Sequence, residues 1–198
     1  MHNIWNERYS IPEYVYGEKP NEFFAQQLQQ LQPNIIILPC EGEGRNAVFA
    51  ASCNWKVHAF DTSEAGKIKA LQLANKMNLD IDYVIEDAMD INYANNSAAV
   101  IALIYAHFPA SNRKFIHQRF VNWLKPGGRI ILEAFNPHQM QNTSGGPKDV
   151  SMLYTEEMLA DDFKGLHIEL LKTTTTILDE GAYHQGEAAI IQLVGIKK

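Results

Sequence analysis

The stretch "NIIILPCEGEGRNAVFAA", residues 34–51, joins an apolar run to a glycine turn and the start of a helix. Glycines let the backbone N–H groups of such a turn approach a ligand, and the positive end of the following helix faces the same point. The letters "GEGRNA" fit the G-x-G-x-x-G/A nucleotide fingerprint, with Gly42 and Gly44 at its glycine positions. Asp61 lies 19 residues after Gly42, where an acid that binds a ribose belongs. Many ligands can use this arrangement, so the fingerprint alone identifies none of them.

Two glutamates in this turn, Glu41 and Glu43, help to choose between ligands. Carboxylates about 4 to 6 Å from a pyrophosphate would cost a few kcal/mol at an effective dielectric of about 20. S-adenosylmethionine has the ribose and adenine of NAD, lacks the phosphates, and carries a sulfonium and an ammonium group. The acidic turn therefore favours S-adenosylmethionine, with the alternative that both glutamates simply point to solvent.

The ends of two later strands provide further candidate contacts to this ligand. Asp61 closes "HAFDTS" beside Thr62, and its two oxygens can accept both ribose hydroxyls. "YVIEDAMD" ends with Asp87 and Ala88, where the carboxylate can accept the adenine amino group and the backbone N–H can reach a ring nitrogen. Helix capping is the alternative role for both aspartates.

The segment "YAHFP", residues 105–109, follows the next strand, and ligands of open α/β sheets lie beyond the carboxyl ends of strands. Tyr105 and His107 are therefore the candidates to line a reacting methyl group. A histidine with an ordinary pKa of about 6.5 can take a proton at neutral pH. A packing role for His107 is the alternative. The remaining histidines show no spacing typical of metal ligands, so no metal site is predicted.

From about residue 34 the chain alternates short β-rich runs with longer amphipathic ones, which is typical of crossover units on a mainly parallel sheet. The predicted strands are 34–39, 56–61, 82–87, 98–106 and 128–135. Two more β-rich runs, 167–181 and 188–198, are joined by "AYHQGE", which is too short for a helical crossover. The predicted fold is a Rossmann-like, doubly wound α/β sheet of seven strands, mostly parallel with an antiparallel C-terminal hairpin.

Helices are predicted over 63–77, 111–124 and 155–163, with Ser63 and Ser111 as N-caps of the first two. Helical spacing predicts an apolar face on the helix 63–77, formed by Ala65, Ile68, Leu71 or Leu73, and Met77. It predicts another on the helix 111–124, formed by Phe115, Phe120, Val121 and Leu124. The loop 136–152 is rich in Asn, Gly and Pro and is of the kind that forms lids.

We expect residues 1–198 to form one domain, because no composition shift or linker divides the chain. Residues 1–33 read as an aromatic arm and a helix that cover the cofactor site. Trp5 and Tyr9 would bury apolar area there, and Arg8 would be available to a carboxylate. A structural clamp without ligand contact is the alternative.

The composition argues against several partners. A net charge of −6 and a pI near 5.6 give no general affinity for nucleic acid. There are only two cysteines and no long apolar run, which favours a cytoplasmic protein without a membrane segment. The expected partner is therefore a small molecule.

In these features the chain resembles the class I S-adenosylmethionine-dependent methyltransferases. "LPCEGEGRNAVFAA", "HAFDTS", "IEDAMD" and "WLKPGGRIILEAF" resemble the glycine, ribose and adenine motifs and the turn into the fifth strand. "GEGRNAVF", "HFP" and the N-terminal "W..RY" look most like the small tellurite-resistance and thiopurine methyltransferase branch. The resemblance implies S-adenosylmethionine as cofactor, held by Cys40, Glu41, Gly42, Gly44, Asp61, Thr62, Asp87, Ala88 and Tyr105.

Two positions depart from the family pattern. Cys40 replaces the first glycine of the loop, and Leu38 replaces the acid that usually lies two residues before it. We hypothesise that Glu41 or Glu43 compensates for the missing acid.

The predicted function is methylation of a small molecule, with thiol, chalcogen or similar soft nucleophiles favoured because their anions do not strictly need a general base. An NAD-dependent oxidoreductase and a catalytically silent S-adenosylmethionine-binding module are the alternatives. The sequence leaves the acceptor and the oligomeric state open.

Overall fold

Seven strands form one mixed sheet in a computed structural model that describes residues 4–198. The strands are β1 (Ile35–Pro39), β2 (Lys56–Asp61), β3 (Asp82–Ile85), β4 (Ala98–Ile104), β5 (Leu124–Phe135), β6 (Leu166–Asp179) and β7 (Gln185–Lys197). Their order is β3-β2-β1-β4-β5-β7-β6. Strands β1 to β5 pair in parallel, and β7 runs antiparallel to both β5 and β6. The predicted fold is confirmed, including the C-terminal hairpin.

Helices cover this sheet and lead into the turns at its carboxyl edge. They are α1 (Ile4–Tyr9), α2 (Glu22–Leu28), α3 (Arg45–Ser52), α4 (Glu64–Lys76), α5 (Ala110–Trp123) and α6 (Glu156–Asp162). Two short 3₁₀ turns, Pro137–Gln141 and Val150–Met152, lie in the loop after β5. Within residues 4–198, no helix has the length and apolar character needed to cross a membrane.

Of the two predicted N-caps, Ser63 is confirmed and Ser111 is not. The hydroxyl of Ser63 accepts the Gly66 N–H at 3.0 Å, which confirms the start of α4. The prediction of Ser111 as N-cap is wrong, because α5 already begins at Ala110. Pro109 precedes the helix, and its carbonyl accepts the first helical N–H groups, those of Asn112 and Arg113, at 2.9 Å.

Both predicted apolar helix faces need correction. In α4, Leu73 is buried as predicted, but Ile68 and Met77 are each 51 % exposed. The buried side also carries Gly66, Lys69, Ala70 and Ala74. Small residues are buried there because α3, α1 and the glycine turn pack closely on α4. In α5, Phe115 is exposed, whereas Ile116, Phe120 and Trp123 are buried. Leu124 is buried as predicted, but as the first residue of β5.

Apolar side chains fill both faces of the sheet. One cluster packs Phe120, Trp123, Tyr154 and Phe163 against β4 and β5, and the other packs Phe24 and Leu28 against β1 and β4. The central strands are therefore fixed from both sides. Since parallel strands share a direction, the carboxyl ends of β1 to β5 open at one edge, where the candidate site residues follow them.

Candidate active site

The glycine turn between β1 and α3 is held in left-handed backbone conformations. Gly42 and Gly44 have φ values of 59° and 87°. A Cβ atom on Gly42 would lie 2.6 Å from the Tyr9 hydroxyl oxygen, and one on Gly44 would lie 2.4 Å from the Ala70 Cβ atom. Cys40 also has a positive φ, 55°, so this cysteine adopts a conformation that favours glycine. These three residues of the turn, Cys40, Gly42 and Gly44, therefore all have left-handed backbone conformations.

Glu41 is buried and binds the beginning of α3. One of its carboxylate oxygens accepts the Asn46 N–H at 2.8 Å and the Ala47 N–H at 2.7 Å. Burial raises the pKa of Glu41 to about 7, although these N–H groups and the Arg45 charge oppose the shift. The N-terminus of a helix is the place where phosphates bind in nucleotide folds. In this protein a carboxylate of the chain itself occupies these donors.

Glu43 is also buried and ties the N-terminal arm to α4. Its carboxylate lies 2.7 Å from the Lys69 ammonium nitrogen, and its other oxygen accepts the Val15 N–H at 2.8 Å. Neither glutamate points to solvent, and both are engaged by donors of the protein. The hypothesis that one of them compensates for Leu38 in cofactor binding stays a prediction.

Asp61, at the end of β2, connects that strand to the glycine turn. Its two oxygens accept the Gly42 N–H at 3.1 Å and the Ser63 N–H at 2.9 Å. Burial raises its pKa to about 6, with the backbone N–H groups opposing the shift. Three backbone N–H groups, those of Gly42, Thr62 and Ser63, bond this carboxylate, which leaves it acceptor capacity for a ligand hydroxyl. Thr62 follows directly and is exposed at the same edge.

Asp87 and Ala88 lie in a tight turn after β3. The exposed Asp87 carboxylate accepts the Met89 N–H at 2.8 Å and closes a side-chain turn, but it caps no helix, because α5, the next helix of the described chain, begins only at Ala110. The Asp87 carbonyl accepts the N–H groups of Asp90 and Ile91, both at 3.0 Å. Ala88 packs its methyl group into the core.

Tyr105 follows β4 with a φ of 53°, an uncommon value for a bulky residue. Its N–H donates to the Glu133 carbonyl at 2.7 Å, and its hydroxyl donates to the Glu133 carboxylate at 3.0 Å. Burial and the Glu133 charge raise the pKa of Tyr105 well above its usual range, so the phenol stays protonated. Its ring stacks on Phe135 with a centroid distance of 4.7 Å.

His107 is placed at the same edge, but its ring nitrogens are occupied. Nδ1 lies 2.7 Å from the Met152 carbonyl, which can only accept, and Nε2 accepts the Phe135 N–H at 3.2 Å. Burial lowers the pKa of His107 to about 4. The geometry therefore argues against the expected role as proton acceptor. His107 instead fixes the segment after β4 to β5 and to the turn at Met152.

A polar pair that was not predicted from the sequence lies in the connection between β6 and β7. His184 Nδ1 lies 3.1 Å from a Glu180 carboxylate oxygen, which also lies 3.0 Å from an Arg45 guanidinium nitrogen. Although burial opposes it, the hydrogen bond from His184 and the Arg45 charge lower the pKa of Glu180 to about 2. The available sequence signal was an acid and a histidine four residues apart in "EGAYH".

Aromatic rings surround His184 on the side of β4. Ring centroids lie 4.4 Å away for Tyr16, 4.6 Å for Tyr105 and 5.3 Å for Phe135. Because the ionised Glu180 can only accept, Nδ1 carries the hydrogen and Nε2 keeps its lone pair. In the described chain, residues 4–198, no hydrogen bond uses this Nε2 atom. Burial lowers the pKa of His184, so its imidazole is neutral at neutral pH.

The buried carboxylate of Glu133 links the arm to the sheet. Asn21 Nδ2 donates to it at 2.6 Å and Gln192 Nε2 donates at 2.6 Å. Burial raises the pKa of Glu133. Glu133 and Gln192 also line a groove of about 850 Å³ between α2 and the outer strands β6 and β7. Tyr105 is not among the residues that line this groove.

The N-terminal arm lies across the glycine turn. The Asn6 side-chain oxygen accepts the Ala65 N–H at 2.9 Å, and the Tyr9 ring contacts Gly42. The Arg8 guanidinium lies over the rings of Trp5 and Tyr183, at 4.7 and 5.2 Å from their centroids. Among the described residues, no cluster of histidine, cysteine and acidic side chains has the arrangement of a metal site.

Comparisons with known proteins agree with this geometry. Residues 38–128 match the family described as "Methyltransferase domain". No curated protein sequence matches the chain.

Three solved structures show the same fold. The first is described as "Conversion of a Disulfide Bond into a Thioacetal Group during Echinomycin Biosynthesis". It has a TM-score of 0.77 at 13 % identity, over 98 % of this chain and 88 % of that one. TehB from Haemophilus influenzae has a TM-score of 0.72 at 17 % identity over 88 % of this chain, which spans 61 % of TehB. A geranyl diphosphate methyltransferase in complex with GPP and sinefungin has a TM-score of 0.67 at 13 % identity, over 89 % of this chain and 76 % of that one. The matched methyltransferase domain and this sheet topology support the resemblance to the class I S-adenosylmethionine-dependent methyltransferases.

Proposed function

We propose that this methyltransferase acts on a small molecule with a soft nucleophile, such as a thiol or a chalcogen anion. The observation that carries the proposal is the Glu180–His184 pair beside Tyr105, at the carboxyl ends of β4 and β5. The aromatic rings around His184 suit a polarisable acceptor, and the imidazole can take the proton of a neutral thiol. The acidic net charge of −6 disfavours a nucleic acid acceptor, and the composition favours the cytoplasm.

The residues present fit a phosphate-free adenosine cofactor. Glu41 already occupies the N–H groups of α3 that a pyrophosphate would need, which argues against the NAD alternative. Asp61 and Thr62 would hold the ribose, Asp87 and Ala88 the adenine, and the Cys40–Gly44 turn and Tyr105 the methionine end. When bound, S-adenosylmethionine supplies a methyl carbon activated by its sulfonium.

The protein then has three tasks in the reaction. Glu180 holds the His184 ring with Nδ1–H towards itself, so that the Nε2 lone pair receives the acceptor proton. Tyr105, fixed by Glu133, shapes the wall of the acceptor site. The arm excludes water by covering the turn, since alignment and exclusion of water are the main needs of an in-line displacement. In this proposal residues 1–198 act as one domain, with 1–33 as the cover.

The acceptor is tested with a labelled methyl donor and a panel of thiols, selenols, tellurite, amines and carboxylic acids. The proposal expects methyl transfer to the soft nucleophiles. Transfer only to amines or carboxylic acids would contradict the acceptor class, and binding without any transfer would favour the silent module. Calorimetry with S-adenosylhomocysteine and with NAD tests the cofactor, and a preference for NAD would refute it.

The role of His184 is tested by His184→Gln against the control His167→Gln, which changes an exposed histidine on β6. For a neutral thiol, His184→Gln should lower kcat by about 100-fold, the lower range for a general base. It should also remove the low-pH limb of the rate profile while S-adenosylhomocysteine affinity stays unchanged. An unaltered pH profile would refute the assignment.

A further inference from the structure

Arg119, on α5, binds the backbone of the turn that follows β3. Its guanidinium donates to the Ala88 carbonyl at 3.1 Å and to the Met89 carbonyl at 2.5 Å, and it also donates to the Ile91 carbonyl. A guanidinium presents several donors in a rigid fork, so one side chain can fix three carbonyls at once. No other described side chain donates to these three carbonyls.

The orientation of the Ala88 N–H follows from the same turn. The Asp87 carbonyl points into the turn, where it accepts the N–H groups of Asp90 and Ile91. In a trans peptide the carbonyl and the next N–H point in opposite directions, so the Ala88 N–H points out of the turn. No hydrogen bond within residues 4–198 uses this N–H. It is therefore available to a ligand atom that accepts a hydrogen bond.

Two aromatic rings hold the Arg119 guanidinium in place. The centre of the guanidinium lies 5.6 Å from the Phe115 ring centroid and 5.7 Å from the Trp123 ring centroid. Both distances are within the range of a cation–π contact. Trp123 belongs to the core, whereas Phe115 is 53 % exposed. The contact with Arg119 gives the exposed Phe115 a function that helix packing does not explain.

We infer that Arg119 is a positioning residue that makes the turn after β3 selective for adenine over hypoxanthine. This inference rests on the proposed cofactor site at Asp87 and Ala88. Adenine presents an amino group to the Asp87 carboxylate and an accepting ring nitrogen to the Ala88 N–H. Hypoxanthine presents an oxygen and an N–H at the same places, so it faces an acceptor and a donor of the wrong kind. Discrimination requires that the turn keeps its geometry, and Arg119 fixes that geometry.

The test compares the binding of S-adenosylhomocysteine and S-inosylhomocysteine by calorimetry. Arg119→Ala removes all three hydrogen bonds, and Phe115→Leu removes only the outer ring at an exposed position. Lys114→Ala is the matched control, because it removes a cation from the same helix that pairs with Asp161 instead of the turn. Thermal unfolding of each variant reports its folding, and hydrogen exchange of residues 88–91 reports the order of the turn.

Wild-type protein should bind the adenosine ligand more tightly than the inosine ligand. Arg119→Ala should weaken binding of the adenosine ligand by about tenfold and binding of the inosine ligand much less. This is the size expected for loss of charge-assisted hydrogen bonds. The substitution should also speed hydrogen exchange in the turn. Phe115→Leu should give a smaller change of the same kind, and Lys114→Ala none.

Two results would overturn the inference while leaving the proposed function intact. One is that folded Arg119→Ala keeps the wild-type preference between the ligands. The other is that it weakens both ligands equally. If Arg119→Ala does not fold, a Phe115→Leu variant with the full wild-type preference overturns the inference. A wild-type protein that binds neither ligand refutes the proposed cofactor site itself.

Discussion

Glu41→Gln is the substitution that best isolates the role of the buried carboxylate at the start of α3. The glutamine side-chain oxygen can still accept the N–H groups of Asn46 and Ala47, which lie 2.8 and 2.7 Å from the native oxygen. The substitution therefore keeps the cap and removes the charge. We expect its effect on stability to depend strongly on pH.

The pKa of Glu41 sets the size and sign of this effect. Burial raises it from 4.5 to about 7, so the folded protein keeps a proton that the unfolded chain has lost. The contribution to stability is thus fully present below pH 4.5 and is lost as the pH rises to about 7. Since one pKa unit corresponds to about 1.4 kcal/mol, the wild-type protein should lose about 3 kcal/mol over this interval. Glu41→Gln should not show this loss.

Urea unfolding between pH 4.5 and 8, without cofactor, measures the two free energies of unfolding. The difference in favour of Glu41→Gln should grow by about 3 kcal/mol across this range. Glu64→Gln, which changes an exposed acid in the first turn of α4, is the control and should track the wild-type protein. Parallel profiles for Glu41→Gln and wild type would show that burial does not hold a proton on Glu41, and would refute this reasoning.

Three further changes test the geometry of the site by urea unfolding. Gly44→Ala places a Cβ atom 2.4 Å from that of Ala70, at a φ of 87°, and should cost at least about 2 kcal/mol. Cys40→Val puts a β-branched residue at a φ of 55° and should cost about 1 to 3 kcal/mol, whereas Cys40→Gly should stay within about 1 kcal/mol of wild type. Tyr105→Phe removes the donor to the buried Glu133 and should cost about 1 to 3 kcal/mol. A variant as stable as wild type would contradict the corresponding contact.

Strand positions were predictable because buried parallel strands leave continuous apolar runs in the sequence. The prediction of 56–61 agrees with β2, Lys56–Asp61. Helix faces were less predictable, because tertiary packing selects them. Ile68 satisfies the helical spacing, yet α4 buries Gly66 and Ala70, since the neighbouring turn and α1 leave room only for small side chains.

The site was predictable where it follows a strand directly. Asp61, Asp87 and Tyr105 lie at the carboxyl edge because their strands end there. The roles of the histidines were not predictable, because they depend on partners distant in the chain. The two ring nitrogens of His107 are hydrogen-bonded to the backbone of Met152 and Phe135, 45 and 28 residues away. His184 lies beside Tyr105 only because β7 folds back beside β5.

The glycine turn still disfavours a phosphorylated cofactor, but for a different physical reason than the sequence suggested. The sequence suggested that Glu41 and Glu43 repel a pyrophosphate and attract a cation. In the structure Glu43 is neutralised by Lys69, so it adds little attraction for a sulfonium. Glu41 disfavours a phosphate because its oxygen already accepts two α3 N–H groups that a phosphate would need. A phosphate could bind there only by displacing a buried carboxylate from two hydrogen bonds, and this cost is independent of any positive charge on the ligand.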